Sequence, residues 1–224
     1  MTAMEISIPL KAVALSGELS LRANALGLVL FAHGSGSSRH SPRNQYVARI
    51  LRESGLGTLL FDLLTAEEEQ TEAHTRHLRF NIALLAERLV GATRWALDQG
   101  ATRGLNAGYF GASTGAAAAL VAAAELGQTI RAVVSRGGRP DLAGDNLERV
   151  TAPTLLIVGG ADSAVIPLNE EACSRLRCER ALRIVAGASH LFEEPGALEK
   201  AAKMAAEWFA DHLADDGSGK GLRP

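Results

Sequence analysis

The chain has 224 residues, 47% hydrophobic and 21% charged, with a formal net charge of −2. That length suits one domain with a core large enough to need no staples, and the composition excludes wholesale disorder. A pI of about 6.3 argues against nucleic acid as the main partner, because phosphate binding needs a basic surface.

Near the N-terminus Glu5, Lys11, Glu18 and Arg22 interrupt every apolar stretch, which argues against a secretion signal. Residues 5–9 and 13–21 alternate apolar and polar, as antiparallel strands at a sheet edge do, with Ser16 and Gly17 supplying a turn or bulge. Apolar runs then recur at 27–32, 57–62, 105–110, 130–135, 154–158 and 182–186. Most are continuously hydrophobic, the pattern of strands buried on both faces of a parallel sheet. Between them, Ile82, Leu85, Leu89, Ala92 and Ala96 repeat at helical spacing, as do Leu198, Ala202, Ala205, Phe209 and Leu213. Strands alternating with helices predict an α/β fold, a mostly parallel, doubly wound sheet with helices on both faces.

The polar segment 65–77, with Glu67, Glu68, Glu69 and Glu72, reads as a solvated loop or helix start. Glu72, His74 and His77 fall on that solvated face, and no set of converging metal ligands is indicated there. The longest uncharged run, 104–124, holds Asn106, Ser113 and Thr114 and ends in alanines. It reads as strand, turn and helix rather than a membrane span. Cys173 and Cys178 lie five apart in one helical stretch, where their side chains diverge. They are expected to be free thiols in a reducing compartment, which places the chain in the cytoplasm. A single domain is expected over 1–214, with a polar, glycine-containing tail at 215–224.

The chemistry concentrates at Gly111-Ala112-Ser113-Thr114-Gly115, a GxSxG motif between an apolar run and an alanine-rich helix former. Strand, sharp turn, helix is the setting of a nucleophile elbow, in which small neighbours let strand and helix approach and leave the serine exposed. A serine hydroxyl needs a base, and His190 follows the last strand. The base needs a carboxylate, and Asp162 follows the strand at 154–158, with Asp141 in reserve. An oxyanion would rest on the Thr114 amide and on the Ser35 amide, with Gly34 as second choice. His33 is expected to brace that glycine-rich loop. Gly34, Arg39 and Arg136, with His40 and Asn44, are candidates to shape the substrate pocket. The loop at 34–39 has only two of the three glycines of a dinucleotide fingerprint, which sets an oxidoreductase aside.

At these residues the sequence resembles the α/β-hydrolase superfamily, and within it the small dienelactone hydrolase-like family. The resemblance rests on HGSGSSRHSPRN from His33, GASTG from Gly111, VSRGGRPDLA from Val134 and the Asp162 and His190 loops, and covers about 5–213. It implies an eight-stranded, mostly parallel sheet, a triad without metal or cofactor, and hydrolysis of esters or lactones. Dienelactone hydrolases proper carry a cysteine nucleophile, where this chain has Ser113, and hold a substrate carboxylate with arginines. Relatives also occur joined to phosphoribosyltransferase-like domains. No insertion is long enough for a lid, which favours small substrates over lipid interfaces. The expectation is a serine carboxylesterase of small, short-acyl esters. A lactone or thioester hydrolase, or a non-catalytic binding protein on the same scaffold, remain the alternatives.

Overall fold

The computed structural model describes residues 3–75 and 77–214, so the tail expected at 215–224 lies outside it. Eight strands form one sheet: β1 (Met4–Pro9), β2 (Ala14–Ser20), β3 (Leu28–Ala32), β4 (Gly57–Phe61), β5 (Ala107–Ala112), β6 (Ile130–Arg136), β7 (Thr154–Gly159) and β8 (Arg180–Val185). Their order is β1-β2-β4-β3-β5-β6-β7-β8. β1 and β2 run antiparallel at one edge, and every pair from β4 to β8 is parallel.

The expected edge hairpin is present, but its turn is elsewhere. Leu10 N–H donates to Val13 O at 2.8 Å, closing the turn there. Ser16 and Gly17 instead pair with Ser7 and Ile6 in mid-strand. Gly17 serves packing, since a Cβ there would meet the Phe61 Cβ at 3.1 Å.

The helices are α1 (Pro42–Glu53), α2 (Ala66–Thr75), α3 (Ile82–Asp98), α4 (Thr114–Leu126), α5 (Ile166–Arg175) and α6 (Ala197–Leu213). α1 and α6 cover one face, over a core that includes Val29, Phe31, Phe110 and Phe209. α3, α4 and α5 cover the other, over Leu30, Leu59, Tyr109 and Leu156. β3 and β5 are buried along their whole length, which is why their sequences are apolar without alternation. No helix among the described residues is long and apolar enough to cross a membrane.

The polar segment after β4 departs from expectation. It is a full helix, α2, opened by a capping box in which Thr65 N–H donates to Glu68 Oε2 and Glu68 N–H to Thr65 Oγ1. Glu72 is not solvated. It is 1% exposed, paired with Arg79 and accepting from the Leu78 amide. Burial raises its carboxyl, but these two partners outweigh burial and hold it below the usual range. Glu68 in turn reaches Arg88 of α3 at 2.8 Å. These charges therefore fasten a helix that the apolar pattern alone does not explain.

Candidate active site

The site gathers at the C-terminal ends of β3, β5, β6, β7 and β8. Ser113 sits between β5 and α4 with φ of 51°, in the left-handed region that an L-residue adopts only under constraint. The constraint is close packing on both sides. A Cβ on Gly111 would lie 2.5 Å from Ala116 Cα, and one on Gly115 would lie 2.1 Å from Ala32 O. These two glycines let β5, α4 and the end of β3 approach more closely than any other residue permits. Gly115→Ala is therefore expected to cost about 3 kcal/mol, because the obstructing atoms are backbone. Urea unfolding checks this, and an unchanged midpoint would show that strand and helix part freely.

Asp162 follows β7 and His190 follows β8. His190 Nδ1 lies 2.7 Å from Asp162 Oδ2, with the carboxylate side chain 11% exposed and the imidazole 38%. Gly159 makes this meeting possible, since a Cβ there would lie 2.3 Å from Ala188 O. The alternative acid, Asp141, is held bidentate by Arg139 at 2.8 and 2.7 Å.

Ser113 and His190 border one cavity of about 240 Å³, with Gly34, Ser35, Asn44 and Arg136 also in its wall. Through Ser35, Ser37, Ser41 and Arg43 it adjoins a polar cleft of about 1080 Å³. Arg39 belongs to that cleft and not to the Ser113 cavity. Its amide donates to Asp62 at 2.7 Å, its guanidinium pairs with the same carboxylate, and Glu5 lies 3.5 Å away. His40 also borders the cleft.

The loop after β3 is braced from two directions. His33 is buried. Its Nε2 accepts from Leu63 N–H at 3.0 Å, which leaves the proton on Nδ1 to donate to Gly34 O. Burial pushes the His33 imidazole down, so it stays neutral. Ser35 N–H donates to Thr114 Oγ1 at 3.0 Å, and the two hydroxyls are 2.9 Å apart. Ser35 Oγ also donates to Arg79 O at 3.3 Å, which ties the loop to the segment that Glu72 anchors. The Ser35 amide thus bonds within the protein. The Thr114 amide opens α4, where a helix has no carbonyl of its own to offer.

Arg136, at the end of β6, carries a feature the sequence does not signal. It is 6% exposed and has no carboxylate partner among the described residues. Its Nε and Nη1 bond nothing there. Its guanidinium lies 5.5 Å from the Phe192 ring centroid, and Phe192 has a left-handed φ of 57°. Burial, with Arg43 nearby, pushes the guanidinium down to about 10, so it stays charged at neutral pH.

An eight-stranded, mostly parallel sheet in this order, with helices on both faces, is the fold of an α/β-hydrolase. More narrowly, the chain belongs to the dienelactone hydrolase-like family. It is 58% identical to a dienelactone hydrolase from Anabaena variabilis, with a TM-score of 0.93 over 95% of this chain and 98% of that one. The esterase domain of a Rhodothermus marinus protein shares the fold at 18% identity, with a TM-score of 0.74 over 96% of this chain and all of that one. Curated proteins from two strains of Mycobacterium tuberculosis, provisionally named phosphoribosyl transferases, are 55% identical over 213 residues, 95% of this chain. The chain spans 47% of their length. No family model matches the chain.

Proposed function

We propose that the chain is a serine hydrolase of small esters that carry a negative charge. The observation that carries this reading is the pairing of His190 with Asp162 at 2.7 Å beside the cavity that Ser113 borders. Ser113 attacks the ester carbonyl while His190 takes its proton, and Asp162 keeps the other ring nitrogen protonated. The oxyanion rests on the Thr114 amide, and the Ser35 amide, held by Thr114 Oγ1, keeps the facing loop in place. His190 then protonates the leaving alcohol and activates water to release the acyl group. Lactones and thioesters suit the same machinery. The transferase name of the curated relatives belongs to proteins about twice as long, and we assign hydrolysis to the part that matches this chain.

Arg136 supplies the preference for charge. A buried guanidinium without an anion is costly, and a substrate carboxylate in the cavity offsets that cost. The wild type is expected to prefer the p-nitrophenyl monoester of succinate to the neutral butyrate by about 10- to 100-fold in kcat/KM. Arg136→Met is expected to erase the preference without lowering the unfolding midpoint. A preference for the neutral ester, or a ratio indifferent to Arg136→Met, overturns the charge assignment. Absence of hydrolysis of both esters overturns the esterase reading.

A further inference from the structure

We infer that Asn44 reads a hydroxyl on the substrate, so that the preferred substrates are esters bearing a hydroxyl beside the anion that Arg136 accepts. This deepens the esterase reading above and rests on it.

Asn44 lies in the first turn of α1. Its backbone amide is used by the helix cap, donating to Ser41 Oγ at 3.4 Å. Its side chain has no such use. The residue is 2% exposed, and Oδ1 is buried and accepts no hydrogen bond among the described residues. The other buried positions of α1 are Val47, Ala48 and Leu51, all apolar. A carboxamide in that company forfeits about 1–3 kcal/mol when its oxygen is left unpaired. Buried polar groups are nearly always satisfied, and one that is not calls for a partner from outside the fold.

The place of this orphan narrows what that partner is. Asn44 borders the same 240 Å³ cavity as Ser113 and Arg136. Just behind that cavity's surface stand two unsatisfied groups of opposite sense, each able to meet a bound group once its side chain turns toward it: Arg136 has only protons to give, and Asn44 Oδ1 has only lone pairs. A carboxylate alone satisfies the first and leaves the second as it was. A hydroxyl on the neighbouring carbon donates to Oδ1 while the carboxylate accepts from Arg136. The cavity's size confines this group to a short chain, within reach of the Ser113 hydroxyl. Sites built to bond a substrate hydroxyl discriminate strongly against the analogue lacking it, because the protein group is then stranded.

The test compares the p-nitrophenyl monoesters of succinate and of malate, which differ by one hydroxyl, using both malate regioisomers. The wild type is expected to favour one malate ester at least tenfold in kcat/KM. Asn44→Leu, close in size but without an acceptor, is expected to bring that ratio to one or below. Because the ratio is taken within a single protein, a general loss of activity does not alter it. Should Asn44→Leu fail to fold, competitive inhibition of the wild type by free malate and free succinate serves instead, with malate expected to bind at least tenfold tighter. A wild-type ratio near one, equal inhibition by the two acids, or a ratio unmoved by Asn44→Leu overturns the inference and leaves the esterase reading standing. Turnover of neither succinate nor malate ester, with p-nitrophenyl butyrate hydrolysed, overturns this inference together with the Arg136 assignment. Turnover of none of the three overturns the esterase reading itself.

Discussion

Replacing Ser113 with alanine is expected to lower kcat/KM on short p-nitrophenyl esters by about 10⁴- to 10⁶-fold. The size of the loss follows from what the residue holds in place. Without Oγ there is no acyl-enzyme, and only binding and the oxyanion donors remain to assist water. Stability should change little, since alanine keeps the Cβ that serine already carries at φ of 51°. The check is a paired measurement, ester turnover and urea unfolding on the same preparations. Residual activity within tenfold of wild type, in a protein with an unchanged midpoint, would remove Ser113 from the role of nucleophile.

The second large effect concerns tautomers. Asp162→Asn is expected to lower kcat about 10⁴-fold with KM nearly unchanged. The carboxylate accepts the proton of His190 Nδ1 at 2.7 Å. An asparagine amide can turn its NH₂ toward that nitrogen and favour the tautomer with the proton on Nε2. The other ring nitrogen then already carries a proton, and the imidazole cannot act as base. Asp141→Asn is the matched control. Its carboxylate is taken by Arg139, so the control is expected to keep wild-type turnover. The reverse pattern, with Asp141→Asn inactive and Asp162→Asn active, would reassign the acid.

The sheet was legible because its central strands lie between two layers of helices. Burial on both faces forces unbroken apolar runs such as Leu28–Ala32, and turn residues at their ends mark them as short strands. The places of the candidate residues were legible from chain order, since Ser113 follows β5 directly and Asp162 and His190 lie three and five positions beyond β7 and β8. What escaped depends on pairs distant in sequence. The bond from Ser35 to Thr114 spans 79 positions, and the ties from Arg39 to Asp62 and from Glu68 to Arg88 span 23 and 20. No local pattern announces them. The start of α2 was legible in principle, because Thr65 and Glu68 stand at capping-box spacing. The turn of the edge hairpin was misplaced because Ser16-Gly17 has turn chemistry, while its actual work is to let β2 approach Phe61. The orphaned state of Arg136 and Asn44 could not be read at all, because the lack of a partner has no sequence signature.

The left-handed backbone at Ser113 bears on how the protein loses activity. The contacts that impose it, Gly111 against Ala116 and Gly115 against Ala32, join the innermost strands to a largely buried helix. Opening that region requires separating the middle of the sheet, which is among the last parts of a domain to exchange its amide protons with solvent. Local fraying, whether at α2 or at the β1–β2 edge, leaves the Ser113 backbone intact. Heat inactivation should therefore coincide with cooperative unfolding of the whole domain, and amide exchange around Ser113 should be as slow as global unfolding allows.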